Sequence, residues 1–233
     1  ETADLYIHLK QKVVAVEAKP GQQLAIDKVR AEVVEAGYEV TQAEPMWQTV
    51  AQLREQGLHR ALAENPQVRL RQLVYGEWNR QRAHEQAQQL LQRYPQTQLI
   101  WSANDEMALG AMQAARELGR KPGRDLLFSG LNSSPEALQA LIDGELSVLM
   151  AGHFTSGGWA LVALHDDALG LDARRLGGPD WHLSLFQSLT RDQARQLLRL
   201  GDQVGARVDF RGLSAQGKPD SYRYPFSLQL LLH

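Results

Sequence analysis

Leu99-Ile100-Trp101-Ser102-Ala103-Asn104-Asp105-Glu106-Met107-Ala108-Leu109-Gly110-Ala111 reads as a buried strand, a short polar turn and the first turns of a helix. The apolar run through Ala103 stops at the pair Asn104-Asp105. Beyond it Met107, Leu109, Met112, Ala115 and Leu118 recur near the helical period up to Gly119, a residue suited to ending a helix. A strand that ends in Asn-Asp above a helix N-terminus places side-chain oxygens at the carboxyl edge of a sheet. Open α/β sheets bind their ligands there.

Outward from this stretch the rhythm is regular. Residues 68–74 alternate as a strand with one wet face would, and 80–94 carry Ala83, Ala87, Leu90 and Leu91 on one side of a helix. Downstream, 125–130 read as a strand, 135–143 as a helix with Pro135 in its first turn, 147–152 as a strand and 158–169 as a buried helix. This βαβαβαβα order predicts a parallel sheet covered by helices on both faces. Upstream, strands are expected over 4–9, 12–18 and 38–43, and helices over 22–36 and 46–64. Toward the end, 182–189 read as a strand, 190–200 as a helix capped by Thr190 and closed by Gly201, and 226–232 as an apolar terminus.

In a parallel sheet the loops that follow successive strands share one edge. Here those loops are Gly76-Glu77-Trp78-Asn79, Ala103-Asn104-Asp105, Leu131-Asn132-Ser133-Ser134 and Gly152-His153-Phe154. They offer a carboxylate, carboxamides, hydroxyls, an imidazole and aromatic rings. Carboxylates and amides each bond vicinal hydroxyls, and an aromatic face packs on the C–H side of a sugar ring, so the set suits a small polyhydroxylated ligand. Each residue also has a structural role open to it. Asn104 and Asp105 are favoured helix caps, Asn132 a turn former, Trp78 a lid or core aromatic, and His153 a satisfied loop histidine. The pair Asp166-Asp167 fits a solvated helix face better than a metal site, because adjacent helical positions point apart.

Composition narrows the function classes. With 25 basic and 27 acidic side chains among 233 residues the net charge is −2, which gives no electrostatic case for nucleic acid or an anionic membrane. The absence of Cys removes thiol catalysis and thiolate metal sites and suits a cytosolic or a periplasmic protein. No apolar run is long enough to cross a membrane. The chain begins at Glu1 without a signal peptide, as an exported protein does once its leader is removed. No nucleophile elbow, Walker loop or dinucleotide fingerprint occurs, and the histidines lack metal-ligand spacing, so no catalytic residue, cofactor or metal is expected.

Trp101-Ser102-Ala103-Asn104-Asp105-Glu106-Met107-Ala108-Leu109-Gly110-Ala111 resembles the ANDxMAxGA signature of type I periplasmic binding proteins, the sugar-binding group that shares its fold with the LacI-type regulator cores. Leu53-Arg54-Glu55-Gln56-Gly57-Leu58 resembles the family's RxxGF helix, and Gly76-Glu77-Trp78-Asn79 with Ala83 its GxWxxxxA loop. Gly130-Leu131-Asn132-Ser133-Ser134-Pro135-Glu136-Ala137 is similar to GFDGTPEA, and Ile142-Asp143-Gly144-Glu145-Leu146 to IxDGxL. The resemblance spans about residues 48–169 and implies a two-lobed α/β clamp, parallel sheets flanked by helices, that closes on a sugar or similar polar ligand. By position it implies Arg54 donating to hydroxyls and Asp105 accepting, with Asn132 and His153 beside them; joined to the loop residues Trp78, Asn104 and Phe154, these make the expected ligand set. Asn132 replaces the family's usual Asp, and His153 stands where Gln is common. The implied division is 1–50 as the remainder of an incomplete N-terminal lobe, 51–150 as the C-terminal lobe, and 151–233 as the crossover back and a tail. Only 53 residues precede Arg54, fewer than the family's first lobe requires. The implied role is a periplasmic receptor that serves an ABC permease or a membrane sensor kinase or cyclase, with no direct insertion in the membrane. The alternatives are the effector core of a LacI-type regulator, disfavoured by the missing helix-turn-helix, and an α/β hydrolase without a recognised motif.

Overall fold

A computed structural model describes residues 2–8, 13–18, 31, 34, 47–153, 156–171, 185–201 and 208–232. Strands β1 (Thr2–His8) and β2 (Val13–Ala18) form an antiparallel hairpin, with Tyr6 opposite Ala15 and Ile7 opposite Val14. The expected strand over 38–43 lies outside the described residues. So does the expected helix over 22–36, apart from helical Ala31 and Val34. Helix α1 (Trp47–Glu64) matches its expected span closely and ends before Asn65-Pro66, since the residue preceding a proline is pushed out of the helical region.

The second sheet is the body of the molecule. In chain order its elements are α2 (Arg80–Arg93), β3 (Leu99–Trp101), α3 (Asp105–Glu117), β4 (Leu127–Leu131), α4 (Pro135–Asp143), β5 (Val148–Ala151), α5 (Ser156–Ala168), β6 (Gln187–Ser188), α6 (Arg191–Leu200) and the terminal turn α7 (Gln229–Leu232). The strand order is β3-β4-β5-β6; the first three strands are parallel and β6 is antiparallel. Local signals explain the helix ends. Asn79, Asn104, Ser134 and Thr190 each accept a backbone N–H of the helix that follows, and Thr190 forms a reciprocal capping box with Gln193.

Ile100, Phe128, Gly130 and Leu149 share one face of the sheet by register. Upon it pack Ala87 and Leu91 of α2, Ala108, Met112 and Ala115 of α3, Leu138 and Leu141 of α4, and Ala194 and Leu197 of α6 in one apolar cluster. Burying a Leu or Phe side chain of this kind stabilises by about 1.5–3 kcal/mol. The small Ala-rich stripe of α3 lets α2 approach it closely.

Two expectations need correction. Helices do not cover both faces among the described residues. The opposite face leaves Leu99, Leu127 and Val148 at 49%, 44% and 40% exposure. The order β3-β4-β5 advances in a single direction, and right-handed crossovers then place α3 and α4 on the same side; coverage of both faces needs the strand order to reverse. Nor is 68–74 a strand. Its alternating pattern is present, yet it pairs with no strand among the described residues, and Val68 and Leu70 remain exposed. Alternation makes a segment competent for a sheet, but the hydrogen-bonded ladder makes it a strand.

Candidate functional site

The carboxyl edge of β3-β4-β5 collects the loops that carry most of the expected site residues. After β3, the Ser102 N–H still donates to Ser129 O (3.1 Å), so the strand ladder runs to the turn itself. Asn104 then leaves the sheet in extended backbone and caps α3, its Oδ1 accepting from Met107 N at 2.8 Å. Its Nδ2 donates to Trp78 O (3.4 Å), tying the turn to the loop before α2.

Asp105 is 1% exposed, and its carboxylate is engaged from three directions. Oδ1 accepts from Glu106 N at 3.0 Å and from Asn132 Nδ2 at 3.1 Å, and Oδ2 accepts from Ser134 N at 2.9 Å. The side chain thus clamps the β3–α3 turn to the β4–α4 turn. The amide at 132 presents an N–H donor to the Asp105 carboxylate.

Asn132 sits at φ 89° with its N–H donating to Met150 O (2.8 Å) and its side chain nine-tenths buried. With Nδ2 committed to Asp105, Oδ1 accepts no hydrogen bond from the described residues. A buried acceptor left in that state costs roughly 1–3 kcal/mol until a donor reaches it.

Gly76-Glu77-Trp78-Asn79 closes as a tight turn, Asn79 N donating to Gly76 O at 2.9 Å, with both central residues left-handed at φ 51° and 57°. Glu77, Trp78 and Asn132 are the non-glycine residues with left-handed backbone among the described residues, and all three lie at this edge. Arg54 reaches the same place from α1. Its Nη1 donates to Ala103 O at 2.6 Å, and its guanidinium lies 5.0 Å from the centre of the Trp78 ring. Beside them Arg80 bonds Glu106 (Nε to Oε2, 2.8 Å) and Glu136 (Nη2 to Oε2, 2.6 Å), joining the first turns of α2, α3 and α4. The hydrogen bond that Arg80 donates to Glu136, with those to Glu106, raises the guanidinium pKa above its ordinary value, so the brace stays charged.

The structure therefore brings Arg54, Trp78, Asn104, Asp105 and Asn132 together. His153 lies at the end of β5, 3% exposed and stacked on Phe186 with ring centres 4.5 Å apart, and its carbonyl accepts from Ser156 Oγ. Phe154 lies outside the described residues. Phe186 is a neighbour that sequence reasoning missed, because nothing in a lone aromatic 33 positions away signals a stack. Asp166 was also misread. It is fully buried rather than solvated, while its neighbour Asp167 is exposed. Among the described residues no helix is long and apolar enough to cross a membrane.

Residues 11–170 match the model of the periplasmic binding protein domain. The chain is 34% identical over 139 residues to the D-allose-binding periplasmic protein of Escherichia coli (strain K12), covering 59% of this chain and 42% of that protein. It is 32% identical over 98 residues to the ribose import binding protein of Bacillus subtilis (strain 168), covering 42% of this chain and 30% of that one. A solved periplasmic sugar-binding protein from Pseudomonas fluorescens is 88% identical and superposes with a TM-score of 0.76 over 78% of this chain and 56% of its own. The chain thus spans about half or less of the length of each of these relatives. With the β3–α3 turn, the capped helices and the parallel sheet in the arrangement described, the chain belongs to the periplasmic binding protein domain family, type I, α/β fold.

Proposed function

We propose that the chain forms the sugar-recognising edge of a periplasmic solute receptor. The single observation that carries this reading is Asn132 Oδ1, a buried acceptor without a donor among the described residues, fixed by Asp105 at the edge where open α/β sheets bind ligands. A ligand hydroxyl supplies the missing donor. Trp78, held by Asn104 and overlain by Arg54, offers a ring face and a cation for a sugar's C–H side and its hydroxyls. In this reading Arg54, Trp78, Asn132 and His153 contact the ligand, with Phe154 in the same loop. Asn104 and Asp105 act chiefly by holding Trp78 and Asn132.

Residues 51–150 then form the C-terminal lobe of a two-lobed clamp, with 1–50 contributing to the other lobe and 151–233 returning to it. The clamp delivers its ligand to an ABC permease and performs no chemistry of its own. The allose- and ribose-binding relatives, one periplasmic and one serving import, support both the ligand class and the compartment.

Thermal unfolding of the protein against D-allose, D-ribose, L-arabinose and D-galactose tests the proposal. A ligand at one hundred times its Kd stabilises by about 2.7 kcal/mol, which raises the Tm of a chain this size by about 5–10 °C. Asn132→Ala should remove that shift. A panel in which no sugar moves the melting point would overturn the reading.

A further inference from the structure

The segment after α6 has a regularity that the ligand site does not use. Tyr224, Phe226 and Leu228 alternate along residues 223–228, and the residues between them at 223 and 225 face solvent. Their counterparts on the other side are spaced by seven. Tyr224 OH donates to Asp166 Oδ2 at 2.6 Å, Phe226 stacks on Trp159 with ring centres 4.8 Å apart, and a Cβ built on Gly152 would lie 3.7 Å from Leu228 Cβ. The contacts of 224, 226 and 228 thus step back along α5 and on to the end of β5. The strand-like segment runs from the far end of α5 back to the point where α5 leaves β5.

Both ends of this segment are fixed. At the far end the buried Asp166 carboxylate also accepts from Ser214 Oγ (2.5 Å) and Ala215 N (2.6 Å). Burial, then the hydrogen bond to Asp166, pushes the Tyr224 phenol far above its ordinary value, so it remains a donor. Phe210 packs against Trp159 at 5.2 Å between ring centres, directly over Gly158, where an added Cβ would fall 2.0 Å from the Phe210 ring. At the near end Leu228 and Leu231 enter the main core beside Leu149, Ala151 and Leu197. The covalent route from β5 into α5 passes through Gly152 and His153, so the segment is a second tie across the same junction.

We propose that residues 208–232 are a strap that ties α5 to the core of the β3–β6 sheet, with Asp166 as its lock. The strap releases as a unit of its own, ahead of the sheet and its helices. This goes beyond the sugar reading and stands whether or not that reading holds, because the strap touches neither Asn132 nor Trp78 in the contacts described above.

Hydrogen exchange of the full chain without ligand, followed by mass spectrometry, tests it. Tyr224→Phe removes the hydroxyl and keeps the aromatic stack. A hydrogen bond to a charged group is worth about 1.5–3 kcal/mol, so exchange across 208–232 and α5 should accelerate at least about tenfold while α2, α3 and α4 keep their protection. Asp166→Asn, which keeps the shape and removes the charge, should reproduce the pattern with a larger acceleration. Should Asp166→Asn fail to fold, Tyr224→Phe still decides. Unchanged exchange in 208–232 would overturn the strap, and an equal rise throughout α2, α3 and α4 would overturn its independence.

Discussion

The two edges of the β3-β4-β5 sheet solve the same backbone problem with different residues. At the amino edge the chain turns through left-handed backbone at Gly119, Gly123 and Gly144. Glycine takes that conformation without a side-chain clash. At the carboxyl edge Glu77, Trp78 and Asn132 take it, although left-handed backbone costs an ordinary residue about 1–2 kcal/mol. Gly152 at φ 120° closes part of the carboxyl edge in the same way, but three other positions there keep side chains in left-handed backbone. Strain retained at one edge, together with a buried acceptor that has no donor among the described residues, is what supports the proposed site there.

The comparison can be broken first at the amino edge. A Cβ on Gly123 would sit 1.8 Å from the Gly144 carbonyl oxygen, in addition to the penalty of its φ of 74°. Gly123→Ala should lose about 4 kcal/mol by urea unfolding. Ligand affinity of the fraction that remains folded should be unchanged.

Asp105→Ala is the matching test across the sheet. It leaves Asn132 Nδ2 and Ser134 N without their acceptor and should destabilise the unliganded protein by about 3 kcal/mol. A small change in the unliganded melting point together with complete loss of sugar binding would instead make Asp105 a direct ligand contact.

The smallest expected effects separate two neighbours in one turn. Glu77→Gly should raise stability by about 1 kcal/mol and leave binding alone, since it relieves φ 51° at an exposed side chain. Trp78→Gly relieves a similar strain yet removes the ring under Arg54, so it should weaken sugar binding at least about tenfold by calorimetry. Equal binding by both variants would show that the strained turn serves closure only, as the glycines do.

Much of the sheet and its helix ends was legible in the chain. The β3–α3 turn, the caps at Asn104 and Thr190 and the stop at Gly119 follow from local preferences that hold wherever the segment sits. The strand over 68–74 did not survive, although its alternation is real. A strand exists only with a partner, and the partner is not encoded in the segment. For the proposed site, the residue types gathered at one edge but could not rank Asp105 against Asn132. Their roles depend on which lone pairs other parts of the chain already occupy.

What the sequence determined by itself is the periodicity, and with it the α/β order, the turn chemistry and the collection of polar loops on one side. These rest on contacts within a few residues. The tertiary structure decided the rest. It buried Asp105 under donors 27 and 29 positions away, left the Asn132 oxygen without a donor among the described residues, and turned Asp166 from an apparent surface carboxylate into an anchor for residues 48–58 positions distant. A buried carboxylate is tolerable only when donors surround it, and those donors arrive from segments that no local pattern links.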